Sequence, residues 1–343
     1  MRHTLAALAL VATALAAVPA PAQQAPAGAP LSLADALALA RARSPVLAMA
    51  GGRRQAAAGR ARQEGAFANP VAEWRQENLG APVDRDVFAS VTLPLDLTGR
   101  RFALRGAGRD LVAASVADST TVHRLVEAEV ARAYWRAALA RGLAEVAGAQ
   151  RRAIGEIADF EARRLREGAV AENVALRTRL EAERGRVAEA SALAALERAH
   201  AELARAIGVP AESLAAPVPL ATSCDPAPPP SLDSATAAAL AARPEVAAAR
   251  HRVSEARHRV SAAARGTLPD VGVHAGYKRT QGYDTRVVGL LVTLPILDRN
   301  AGERERARGE LAVAEAELRD AESRVRADVA SAVRAYGRLL GAN

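Results

Sequence analysis

Six histidines and one cysteine are the side chains best suited to hold a metal or act as a nucleophile, and their spacing supports neither role. His251 and His258 stand seven residues apart, so they can share one face of a helix, and His274 lies in an alternating, strand-like segment. No His/Cys/Asp group has the coherent spacing of a metal site. Cys224 sits alone in a Pro-rich stretch, and a single thiol allows no internal disulfide. There is also no nucleophile with a base at recognisable spacing, no Gly-rich phosphate loop, and no paired carboxylates outside charged helix faces. The chain is therefore not expected to be an enzyme, to bind a cofactor or to hold a metal. The charges left to explain are Glu73, Arg75, Asp86, His274 and Lys278, which fall on one side of two alternating segments and suit the lining of a water-filled lumen.

Those segments are two candidate hairpins. In the first, at 71–95, Val87, Ala89, Val91, Leu93 and Leu95 share a face while Asp86, Phe88, Ser90 and Thr92 share the other. In the second, at 270–295, Val271, Val273, Ala275 and Tyr277 oppose Asp270, His274 and Lys278, and Val288, Leu290, Val292 and Leu294 alternate in the returning arm. Arms of about 9 to 11 residues are the length that crosses an outer membrane as tilted strands. The lipid-facing set expected from this alternation is Val87, Ala89, Val91 and Leu93 with Val288, Leu290, Val292 and Leu294. Trp74, Phe88, Tyr277 and Tyr283 fit interfacial anchors and ordinary strand aromatics almost equally well.

Each hairpin runs into a long helix through a Pro-containing corner. Pro94, Gly99 and Arg100 mark the first, and Pro295, Asp298, Arg299, Asn300 and Gly302 the second. From Arg100 to Glu167 there is no proline, and Ala, Leu, Arg and Glu prevail. A helix of that length reaches about 100 Å at 1.5 Å per residue. Helix-forming sequence resumes after 168–173 and closes near Ile207 at Gly208 and Pro210, which predicts an antiparallel coiled-coil hairpin over 100–207. Within it, Tyr134 and Trp135 are expected to pack between helices.

The same order occurs twice. Val91-Thr92-Leu93-Pro94 and Val292-Thr293-Leu294-Pro295 match residue for residue, and Ser44-Pro45 and Asn69-Pro70 have counterparts 199 positions on at Arg243-Pro244 and Leu268-Pro269. The repeats are expected at 31–209 and 231–343, joined by a Pro-rich linker at 210–230. Ser32 and Asp35 have the spacing of a capping box at the first helix, whose successor runs to about Phe67. Asn343 stands opposite Ala144 by that offset, so the second repeat, with its long helix at 302–343, is expected to lack a tip and a returning helix. Residues 1–22 read as a secretory signal peptide, with Ala20-Pro21-Ala22 as the cleavage site, followed by a linker at 23–30.

Composition agrees with extended helices: aromatics are 3% of the 343 residues and Ala dominates an apolar fraction of 50%. The formal charge is +8, but Lys278 is the sole lysine and the arginines are dispersed among acids along helices. A nucleic-acid binder would gather them with aromatics, so no nucleic-acid partner is expected.

Two helices, a hairpin, a long helix, a tip and a returning helix, twice over behind a signal peptide, resemble the TolC-type outer-membrane factors of tripartite efflux systems. Leu93-Pro94-Leu95-Asp96-Leu97-Thr98-Gly99-Arg100 and Leu294-Pro295-Ile296-Leu297-Asp298-Arg299-Asn300-Ala301-Gly302-Glu303 are most similar to the heavy-metal, CzcC-like branch. The resemblance implies a mainly α fold with β-hairpins, in which long antiparallel coiled-coil helices form a tunnel below a trimeric, 12-stranded β-barrel, each subunit giving four strands. It implies a homotrimer in outer-membrane lipid of a Gram-negative bacterium, with a periplasmic helical extension. Helical tips would dock a periplasmic adaptor tied to an inner-membrane pump of the resistance-nodulation-division type, and Gly168, Val170 and Asn173 match the first tip. Physics agrees on oligomerisation, because four strands leave open edges that lipid cannot satisfy. The function expected is a passive exit duct, for heavy-metal cations by that branch. A soluble periplasmic coiled-coil scaffold or adaptor, or a duct for drugs or a secreted protein, stands as the alternative.

Overall fold

The computed structural model describes residues 31–80, 84–214, 216, 228 and 230–341. The signal peptide at 1–22, the linker at 23–30, most of the linker at 210–230 with Cys224, and Asn343 lie outside the described residues. The elements run α1 (Leu33–Arg43), α2 (Pro45–Glu64), β1 (Val71–Glu77), β2 (Asp86–Leu95), α3 (Arg100–Arg166) and α4 (Glu172–Ile207). They continue with α5 (Leu232–Ala242), α6 (Pro244–Arg265), β3 (Asp270–Thr280), β4 (Tyr283–Thr293) and α7 (Ala301–Gly341). Helix, helix, hairpin and long helix thus occur twice in order.

Local signals set most boundaries. The Ser32 hydroxyl accepts from the Asp35 N–H at 3.1 Å and the Asp35 carboxylate accepts from the Ser32 N–H at 3.3 Å, closing a capping box that satisfies two otherwise orphaned donors. Pro45 and Pro244 begin α2 and α6 at the first helical position, where their missing N–H costs nothing. Helix α2 stops at Glu64, short of Phe67, because the Arg105 side chain of α3 takes the Gly65 carbonyl at 3.1 Å and the Arg101 guanidinium lies 3.4 Å above the Phe67 ring.

Alanine governs the packing. The largest buried cluster joins α1, α3 and α4 through Ala36, Ala40, Val130, Ala137, Leu203 and Ile207, with Tyr134 inside it. The Tyr134 hydroxyl donates to the Leu31 carbonyl at 2.9 Å, so this buried polar atom is satisfied. Trp135, edge-on to Tyr134, remains half exposed. Smaller clusters, Val246 with Val325 and Val329, and Val253 with Ala256 and Ala314, hold α6 against α7. Ion pairs brace the same helices: Arg243, the N-cap of α6, pairs with Asp328 of α7, Arg250–Glu322 joins α6 to α7, and Arg252–Asp118 joins α6 to α3. No helix among the described residues is long and apolar enough to cross a membrane.

The four strands form one antiparallel sheet in the order β1-β2-β3-β4. The two hairpins meet where β2 pairs with β3, from Val87 opposite Arg279 to Leu95 opposite Val271. Strands β1 and β4 are the sheet's edges. The second hairpin turns tightly at Gln281 and Gly282, both with positive φ, the geometry of a two-residue type I′ connection whose twist suits flanking strands.

Candidate functional site

Directly opposed residues in an antiparallel ladder lie on one face, so the register assigns every strand residue to one of two surfaces. One surface carries Ala72 and Trp74 of β1, Val87, Ala89, Val91, Leu93 and Leu95 of β2, Val271, Val273, Ala275 and Tyr277 of β3, and Val288, Leu290 and Val292 of β4. Its charged residues, Arg279, Asp284 and Arg286, stand only toward the turn of the second hairpin. The other surface carries Glu73, Arg75 and Glu77, then Asp86, Phe88, Ser90 and Thr92, then Asp270, His274 and Lys278. Seven of the eight expected lipid-side residues therefore share the apolar surface, and Glu73, Arg75, Asp86, His274 and Lys278 share the opposite one. On the apolar surface Val288 is 81% exposed and Leu290 72%, too much apolar area for one chain to leave in water.

The eighth residue needs a correction. Leu294 lies beyond β4, whose ladder ends at the Asp270–Thr293 pair because β3 has no earlier residue to offer, and Pro295 has no N–H to extend it. Pro94 likewise belongs to β2 rather than to the corner that follows: it stands opposite Gly272 within the β2–β3 ladder. The four expected aromatics divide, with Trp74 and Tyr277 on the apolar surface and Phe88 and Tyr283 on the polar one.

Polar contacts on the second surface are local. The Arg75 guanidinium and the Lys278 ammonium flank the Phe88 ring at 4.8 and 5.2 Å, a cation–aromatic arrangement spanning three strands. Arg75 also pairs with Glu77 at 3.3 Å. Thr92 and His274 share a hydrogen bond of 3.1 Å across the junction of the hairpins.

Both strand-to-helix corners use a left-handed residue and both are tied to the end of α6. Gly99 (φ 69°) opens α3 and its carbonyl accepts from Arg265 at 2.7 Å. Asn300 (φ 55°) precedes α7, its side chain donates to the Ala263 carbonyl at 2.9 Å, and its N–H donates to Asp298 at 2.8 Å. Asp96 caps the first corner: it accepts from the Arg101 N–H at 2.8 Å and from the Thr98 hydroxyl at 3.0 Å. Burial works to raise the Asp96 pKa, but these bonds and the Arg101 charge outweigh it and hold the carboxyl below the ordinary aspartate value. Arg100 is the first residue of α3 and Gly302 the second of α7, and Arg299 and Pro295 lie between β4 and α7.

A group with a depressed folded pKa lends stability that is complete above its unfolded pKa and is lost as pH falls through the folded one. Asp96→Ala is therefore expected to cost about 1 to 2 kcal/mol near neutrality, the usual worth of a charged N-terminal cap. The gap in melting temperature from the parent protein should narrow as pH falls below about 4. A gap independent of pH over that range would show that the carboxylate's charge contributes nothing.

At the far end of α3 the chain reverses through a Schellman motif. The Gly168 N–H donates to the Leu165 carbonyl at 3.0 Å and the Ala169 N–H to the Arg164 carbonyl at 2.9 Å, with Gly168 at φ 73°. Gly168 is exposed with open space around its α-carbon, and Val170 is half-buried. Asn173 lies in the first turn of α4 rather than in the connection itself.

The histidines acquire partners that sequence spacing did not reveal. His251 and His258 of α6 stand either side of Asp110 on α3, at 3.3 and 3.6 Å, and Ser254 donates to the same carboxylate at 2.6 Å. This is a seam between the repeats. Among the described residues no group of three or more His, Cys, Asp or Glu side chains could hold a metal ion. The seven-residue interval was the visible half of this arrangement, and Asp110, 141 residues away from His251, had no local signal.

A four-stranded sheet with one apolar and one polar surface, rooted by tight corners in helices of up to 67 residues, defines the TolC-like class of fold. Residues 236–341 match the family described as outer membrane efflux protein. Over most of its length the chain has the fold of solved outer-membrane channels. The chain is similar to the open-state MtrE outer membrane channel of Neisseria gonorrhoeae, with a TM-score of 0.69 at 21% identity over 89% of this chain and 72% of that one. It is similar to the outer membrane protein VceC of Vibrio cholerae, with a TM-score of 0.65 at 21% identity over 88% and 76%. For CusC, whose structures concern folding and transmembrane channel formation, the TM-score is 0.63 at 19% identity over 88% and 73%. No curated protein matches in sequence.

Proposed function

We propose that this protein is one subunit of a trimeric exit duct in the outer membrane, in which β4 of each copy pairs with β1 of the next to close a 12-stranded barrel. The observation that carries the reading is the pair of open edges on a sheet whose apolar surface is widely exposed. In hydrocarbon every backbone N–H and C=O needs a partner, so such a sheet is stable in lipid only when its edges meet those of other copies. The polar surface then lines the lumen, and α3, α4 and α7 continue the wall into the periplasm.

The duct is passive and receives substrate from an inner-membrane pump through a periplasmic adaptor. Heavy-metal cations are the substrate favoured by the two corner motifs, and the pump selects among them. Outer-membrane fractionation, native mass and conductance in planar bilayers test the reading. A trimer that conducts is expected, and a soluble monomer would overturn it in favour of a periplasmic scaffold.

The adaptor docks, on this reading, at the Gly168 tip, where α3 turns into α4 and nothing lies within 4 Å of where a Cβ on Gly168 would be. Gly168→Trp is expected to cut adaptor crosslinking at least severalfold, by blocking the tip and straining a left-handed residue, while the trimer persists. Unchanged crosslinking would remove the tip from the docking surface.

A further inference from the structure

We infer that Glu73 and Asp270 form two rings of uncompensated carboxylates in the barrel lumen and give the duct a preference for cations over anions. The inference rests on the trimeric-barrel reading above, which places the polar surface of the sheet inside. That surface carries six charged side chains besides His274: Glu73, Arg75, Glu77, Asp86, Asp270 and Lys278. Four of them gather at the hairpin ends and cancel. Glu77 stands opposite Asp86, while Arg75 and Lys278 flank Phe88 in the adjoining row, and Arg75 is already paired with Glu77.

Glu73 is in a different position. Its row across the sheet reads Glu73, Ser90, Gly276, Val287, with no second charge. Asp270 opens β3 opposite Thr293, at the end of the sheet nearest the helices. Neither carboxylate has an ion pair among the described residues. The two rows between them, Val71-Thr92-His274-Gly289 and Pro94-Gly272-Leu291, carry no fixed charge. A threefold assembly turns each residue into a ring, and rings of one sign raise the local concentration of the opposite ion.

Glycines at 272, 276 and 289 all lie on the polar surface and add no side chain between the two carboxylate rows and their neighbours. Screening limits the range: the Debye length is about 10 Å at 0.1 M salt and about 3 Å at 1 M, so the preference must fade as salt rises.

The test is the reversal potential of the purified trimer in planar bilayers under a KCl gradient centred near 0.1 M, at about pH 8 to keep imidazoles uncharged. The parent channel is expected to pass K⁺ over Cl⁻ by a few fold, declining toward unity near 1 M. Glu73→Gln with Asp270→Asn should bring the ratio close to one at low salt, and Lys278→Gln, which removes a positive charge, should raise it. A parent channel that prefers Cl⁻, or a double variant that conducts with an unchanged ratio, overturns the inference while leaving the duct intact. A trimer that carries no current overturns the duct reading and this inference with it.

Discussion

Leu290→Arg combined with Val292→Arg is expected to abolish heat-modifiable trimers in the outer membrane, whereas Leu291→Arg is expected to preserve them. The three residues are neighbours in β4 and all are exposed in the single chain, so their chemistry alone does not separate them. The register does. Leu290 lies opposite Val273 and Val292 opposite Val271, on the apolar surface, while Leu291 lies opposite Gly272 on the polar one. An arginine on the lipid side of a barrel strand costs about 2 to 4 kcal/mol near the bilayer midplane and much less near the interfaces. Two such residues in each of three subunits exceed the margin of a typical assembly, even with some relief from snorkelling. A lumen-side arginine at 291 stays in water and should only shift ion selectivity. The readout is gel mobility with and without heating, on outer-membrane fractions. Normal trimers from the Leu290/Val292 variant would mean that this surface does not face lipid, and loss of trimers from Leu291→Arg alone would mean that the two surfaces are assigned the wrong way round.

What this sheet takes from local sequence and what it does not can be separated residue by residue. The alternation in β2 and β4 is a period-two signal, so the partition of Val87, Ala89, Val91 and Leu93 from Phe88, Ser90 and Thr92 is legible without coordinates. The same holds for the capping box at Ser32 and for the left-handed Gly168, where three or four adjacent residues decide the outcome. The pairing of β2 with β3 is different. It joins residues about 180 apart, as in the Thr92–His274 bond, and no local pattern states which strand of one hairpin meets which strand of the other. The cluster of Asp110 with His251 and His258 was hidden for the same reason, since its members meet only when α6 packs on α3. Boundaries failed where a tertiary partner ended the element. Leu294 continues the alternation of β4 in sequence, but β3 has no residue left to pair with it. Matching Val-Thr-Leu-Pro motifs gave no warning of this, because in β2 the same proline is still paired across the sheet while in the second repeat the chain has already left it.

Gly276→Val is expected to have the second large effect, at a residue that no alternation pattern would single out. A glycine inside a strand has a reason to be there when another backbone comes close. Here a Cβ on residue 276 would stand 2.7 Å from the Ala89 carbonyl oxygen and 2.8 Å from the Ser90 Cβ, so β2 and β3 have closed up on the polar surface at the seam between the hairpins. Such closure on one surface is what a sheet needs in order to curl toward it and form a barrel wall. Valine suits strands by propensity, so any damage from this substitution must come from the contact and not from the strand's own preference. Because the nearest atom is backbone, relief requires the strands to separate, and the loss should reach at least the 1 to 3 kcal/mol typical of overpacking, multiplied over three seams. Gly289 supplies the control: it lies on the same surface in β4, and within its own subunit nothing stands within 4 Å of where its Cβ would be. Gly289→Val should therefore assemble, whereas Gly276→Val should yield subunits that reach the membrane fraction without forming a heat-modifiable trimer. If both variants assembled equally, β2 and β3 would have room to spare, and the seam between the repeats could not be what bends the wall.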